Sequence, residues 1–115
     1  MYGFSVDLRK VDVRGRRVLL GDRLVDVAVV GDGWVDVISV SYDGSEYRVG
    51  RSKRKMFVQK RSGDSEESFE FYTDFYHRDR FFEWKWGILH GSVSDVARVV
   101  RDVVDFVRAK LTYRQ

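Results

Sequence analysis

Short runs in which apolar and polar residues alternate fill the first three quarters of the chain. They lie at about 16–20, 23–30, 34–42, 45–50, 54–61, 67–77 and 80–88, with an interrupted run at 3–13. Valine and aromatic residues dominate the apolar positions. Turn-forming residues stand between the runs: Arg14-Gly15, Gly21-Asp22, Asp32-Gly33, Asp43-Gly44 and Ser62-Gly63-Asp64. This is the pattern of antiparallel strands joined by tight hairpins. No linker, repeat or low-complexity tract divides the chain.

Two-residue turns at Asp32-Gly33 and Asp43-Gly44 set a register that can be checked for consistency. Val25 then faces Val40, which faces Tyr47, and Val27 faces Ile38, which faces Val49. The reverse face carries Asp26, Ser39 and Arg48. One side is oily and the other wet, as a half-buried sheet requires. A turn at Arg78-Asp79 makes a last hairpin. It pairs Phe75 with Phe82, Thr73 with Trp84, Phe71 with Trp86 and Phe69 with Ile88. The other face pairs Tyr76 with Phe81, Asp74 with Glu83 and Tyr72 with Lys85.

After Gly91 the period lengthens. Ser92 with Asp95 three residues on resembles a capping box, and a helix is predicted over 93–111. Val93, Val96, Val99, Val100, Val103, Val104, Phe106, Val107 and Leu111 cover an arc of roughly 180°, wider than the ~100° stripe of a surface helix. Either the helix sinks into a curved sheet, or one edge of the arc meets a second copy of the chain. The predicted fold is α+β: a bent antiparallel meander or partly open barrel of about 6–8 strands, with one long C-terminal helix packed on it.

Length and composition narrow the chemistry. The 115 residues suit one domain with its own core, at 43% hydrophobic and 34% charged. The chain has no cysteine and only two histidines, His77 and His90, so thiol chemistry is excluded and a histidine cage has little material. No apolar run is long enough to span a membrane, and Met1-Tyr2-Gly3-Phe4-Ser5 lacks the layout of a secretion signal. A cytoplasmic protein without a cofactor is expected. Asparagine is absent, glutamine occurs only as Gln59 and Gln115, and arginine exceeds lysine, which together suggest a thermophilic source. The lack of proline argues the other way.

The net charge of +3 is compatible with a polyanionic partner. Segment 48–61 holds Arg48, Arg51, Lys53, Arg54, Lys55, Lys60 and Arg61 and no acidic residue, with Phe57 among them. Alternating cations suit a phosphate backbone, and a ring offers a surface for unpaired bases. The plainer reading is an edge strand kept basic against aggregation, and anionic lipid headgroups are a further partner class. In segment 69–86, Phe71, Phe75, Phe82, Trp84 and Trp86 read as core. Tyr72, Tyr76 and Phe81 read as an outer face beside Lys85, His77, Arg78 and Arg80. Trp34 and Tyr42 are further stacking candidates.

Asp74 opposite Glu83, with Lys85 two residues on, resembles the signature of metal-dependent restriction-type nucleases, whose carboxylates hold Mg²⁺. The plainer account is neutralisation by nearby cations. Gly31-Asp32-Gly33 is a turn with no helix after it, and His90, Ser92 and Ser94 have no acidic partner for nucleophilic work.

With the segments Arg54-Lys55-Met56-Phe57-Val58 and Phe71-Tyr72-Thr73-Asp74-Phe75-Tyr76, the chain resembles in layout and composition the single-stranded DNA-binding proteins of Thermoproteales archaea. The sheet-then-helix order is also similar to the Whirly and Pur-type proteins. These resemblances imply a single-stranded nucleic-acid partner and assign no residues. Strands followed by one helix also resemble the pleckstrin-homology type, which implies a lipid or peptide partner. The leading expectation is non-catalytic binding of single-stranded DNA or RNA through Arg48, Arg51, Lys53, Arg54, Lys55, Phe57, Lys60, Arg61, Tyr72, Tyr76 and Lys85. The alternatives are a protein-interaction subunit or homodimer using the C-terminal helix, and a Mg²⁺-dependent nuclease.

Overall fold

Each hairpin closes on its nearest neighbour, so the strands line up in chain order. The computed structural model describes residues 12–31 and 35–113. Six strands form one antiparallel sheet in the order β1 to β6. They are β1 (Asp12–Leu20), β2 (Arg23–Gly31), β3 (Asp36–Tyr42), β4 (Ser45–Arg51), β5 (Lys55–Ser62) and β6 (Ser65–Tyr72). Two helices follow, α1 (Phe75–His90) and α2 (Val93–Thr112). The class is α+β, and the sheet is open rather than closed into a barrel. Of the run anticipated at 3–13, residues 3–11 lie outside the described residues, as does Trp34.

The Asp43-Gly44 turn does what its residues permit. Both adopt positive φ, 52° and 76°, which matches the twist of the strands it joins. The predicted register of β3 on β4 holds, with Val40 against Tyr47 and Ile38 against Val49. Between β2 and β3 the register differs by two residues: Val27 faces Val40 and Val29 faces Ile38. The connection is longer than a two-residue turn because Gly31 pairs with Asp36. A Cβ on Gly31 would collide with the Asp36 carboxylate, so the glycine makes room for the acid. A slip of two keeps every side chain on its face, which is why the inside-outside assignment survives. Arg14-Gly15 is no turn and lies within β1.

The core lies between one face of the sheet and the two helices. Val18, Val25, Val27, Ile38, Val40, Tyr47, Val49, Met56 and Val58 come from the sheet. From α2 come Val96, Val99, Val100, Val103, Val104, Phe106, Val107 and Leu111. The capping box forms as predicted: Asp95 N–H donates to Ser92 Oγ at 3.2 Å, and Ser92 N–H donates to the Asp95 carboxylate at 3.0 Å. The wide valine arc is buried within the chain. Val93, the first residue of that arc, is exposed, and the outward side of α2 is charged.

The main correction concerns 75–90. This segment is a helix, not the end of one strand and the whole of another. Asp74 caps it, accepting from His77 N–H at 2.8 Å. Phe81, Trp84 and Ile88, at helical spacing, enter the core. Phe75 and Trp86, read as core, are exposed, and Phe81, read as outer, is buried. Aromatic residues favour strands when alternation alone is considered, but packing between α2 and the sheet decides here. The guanidinium of Arg16, on edge strand β1, donates to Gly91 O at 2.6 Å and Ile88 O at 3.3 Å. It satisfies carbonyls at the end of α1, where a cation is favoured.

Candidate nucleic-acid interface

The basic segment folds as the end of β4, a turn and β5. Four of its seven cations are matched by acids, three of them from other strands. Register places Arg61 opposite Glu66, Lys60 opposite Glu67 and Phe57 opposite Glu70. Arg61 pairs with Glu66 at 3.1 Å, and Lys55 with Glu70 at 2.8 Å. The Glu70 hydrogen bond, then its charge, raises the Lys55 ammonium above its ordinary value. Arg48 pairs with Glu46, and Lys60 lies 5.6 Å from the Tyr47 ring centroid. The continuous cationic track expected over 48–61 is therefore interrupted by carboxylates that sequence spacing alone does not reveal.

Phe57 is no stacking surface. It is 3% exposed and lies against Gly50, where any Cβ would collide with its ring. Arg51 turns inward, to Asp36 at 3.3 Å, with its guanidinium 4.7 Å from the Phe82 centroid. Lys85 donates to the same Asp36 oxygen at 3.2 Å. Arg51 and Lys85 are thus committed to a buried carboxylate rather than turned to solvent.

The remaining candidates converge at one corner. Thr73 N–H donates to Arg54 O at 2.9 Å, which ties the turn between β4 and β5 to the junction of β6 with α1. Lys53 and Arg54 are exposed on that turn. Tyr72, Phe75 and Tyr76, on either side of Thr73, are 76%, 82% and 68% exposed. Lys55 lies 5.2 Å from the Tyr72 centroid, drawing that ring toward the cations. Sequence reasoning placed Phe75 in the core and so missed it. Its place at the first position of a capped helix, legible in Asp74 followed by His77, was the available signal.

The nuclease constellation is not assembled. Asp74 is occupied as the cap of α1, and Glu83 is on the same helix more than two turns further along. The His77 backbone N–H, then its ring, holds the Asp74 carboxyl below the usual range. Among the described residues no group of three or more His, Asp or Glu could hold a metal ion. Nor is any described helix long and apolar enough to cross a membrane.

On the sheet face opposite the helices lies a groove of about 420 Å³ lined by Gly15, Arg17, Asp26, Ala28, Ser39 and Ser41. Of the two arginines that line it, Arg17 is paired to Asp26 at 2.7 Å and Arg16 donates to carbonyls at the end of α1, so the groove offers hydroxyls and little free charge. No family model, curated protein or solved structure matches this chain.

Proposed function

We propose that this chain binds single-stranded nucleic acid without cutting it, at the corner formed by Lys53, Arg54, Lys55, Tyr72, Phe75 and Tyr76. One observation carries the reading: Tyr72, Phe75 and Tyr76 are exposed on either side of Thr73, whose N–H is bonded to Arg54 O, and Lys53 and Arg54 have no acidic partner among the described residues. Rings accept any base face, and the cations take the phosphates on either side. A duplex hides its base faces, so unpaired strands are preferred. Each stacked base contributes on the order of 1–3 kcal/mol.

The interface is shorter than the full basic segment. It leaves out Phe57, Arg51 and Lys85, which are turned into the fold, and Arg48 and Arg61, which are matched by acids. The lipid or peptide reading has less support, because the open sheet and second helix depart from the pleckstrin-homology layout.

Titration of short single-stranded and duplex oligonucleotides, read by intrinsic fluorescence, tests the reading. Binding should be tighter to single strands. Tyr72→Ala with Tyr76→Ala should weaken it by roughly 10-fold or more. Absence of binding at ~50 mM salt, where phosphate contacts are strongest, rejects the proposal.

A further inference from the structure

Helix α1 carries aromatic residues on two opposite sides. Phe81, Trp84 and Ile88 point into the core. On another side Phe82 and Trp86 are exposed, Trp86 at 68%, and Leu89, next in the same spacing, packs against the core and is only partly exposed. A helix in contact with solvent on that side gains nothing from such a stripe, whereas a second apolar surface would cover it. Phe82, Trp86 and Leu89 are spaced by four and then three residues, the d-a-d spacing of a two-helix seam.

We infer that α1 pairs with α1 of a second copy of this chain, in parallel, through Phe82, Trp86 and Leu89. The flanking charges choose both the occupant and the direction. Arg78 and Glu83 sit on opposite flanks of the stripe, at g and e of the same heptad frame. Neither has an oppositely charged partner among the described residues; Arg78 lies only near the Phe82 ring, 5.9 Å from its centroid. In a parallel two-fold pair, a g residue meets the e residue five positions on in the other copy. Arg78 and Glu83 are five apart, so each copy supplies the ion that the other lacks, twice per dimer. An antiparallel pair centred on the same stripe would carry Arg78 past the end of the other copy's α1, so that Arg78 and Glu83 would not meet. Asp79 interrupts the apolar seam at the preceding a position, and exposed Phe75 occupies the d position before it. The interface is on α1, not on the C-terminal helix, and it does not rest on the nucleic-acid reading.

Sedimentation equilibrium of the full chain, without nucleic acid, tests this. The expected result is a concentration-dependent mass rising toward twice 13.5 kDa. Trp86→Glu should give a monomer with unchanged far-UV circular dichroism, and Phe82→Ser serves as a second disruption should that variant misfold. Arg78→Glu and Glu83→Arg should each weaken the dimer at least ~10-fold, and the double exchange should restore it. A monomer at every concentration, a dimer indifferent to Trp86→Glu, or a double exchange no tighter than the singles overturns the inference.

Discussion

Asp36 is 2% exposed and carries a carboxylate into the core edge. Arg51 and Lys85 hold it from β4 and α1, and Gly31 leaves it room. A buried acid with two cations is costly to break, because removing it strands both partners. Asp36→Ala should lower unfolding stability by ~3–5 kcal/mol in a urea titration. Lys85→Met, by contrast, should leave nucleic-acid affinity unchanged, since this ammonium answers to Asp36 rather than to solvent. Gly50 imposes a constraint of a different kind. The Phe57 ring fills the space of its missing side chain, so Gly50→Ala should cost ~1–3 kcal/mol by overpacking. A measured cost near zero would mean that the ring has somewhere else to go.

At the scale of elements, α2 and β2 to β5 were legible in the sequence, while α1 was not. Ser92 with Asp95 announced the start of α2 by side-chain chemistry, and the valine spacing announced its buried side. Segment 75–90 has rings at both odd and even positions, so alternation could be read into it as easily as helical spacing. What settled it was contact with α2 and the sheet, which no local pattern contains. The site was half legible for the same reason: the cations and tyrosines were visible, but the carboxylates opposite β5 belong to another strand. The capping box also predicts a pH response. The Ser92 N–H, then its hydroxyl, lowers the Asp95 carboxyl from its ordinary value. A lowered carboxyl stabilises the folded state above the ordinary range and stops doing so as pH falls through its folded value. Wild-type stability should therefore fall as pH drops below about 4, and Asp95→Asn should flatten that fall. Ser92→Ala should cost ~0.5–2 kcal/mol at neutral pH.

For the molecule as a whole, charge matters by where it is left unmatched rather than by its total. The net charge of +3 comes from 21 cationic and 18 acidic side chains, and in the basic segment Arg51, Lys55 and Arg61 pair with acids on other strands and Arg48 with Glu46 on its own. A binding surface built from all of Arg48, Arg51, Lys53, Arg54, Lys55, Lys60 and Arg61 would neutralise about seven phosphates. Its log affinity would then fall with log salt at a slope of roughly −5. The corner has two cations, Lys53 and Arg54, without an acidic partner among the described residues, and Lys55 shares its charge with Glu70. Two to three phosphates give a slope of about −2. Affinity measured across a series of salt concentrations separates these values. A shallow slope with strong loss on Tyr72→Ala and Tyr76→Ala means that rings do most of the binding and cations orient the strand. A slope near −5 would mean that the pairs to Glu66, Glu70 and Asp36 open when the polyanion arrives, and that the long basic track is the binding surface after all.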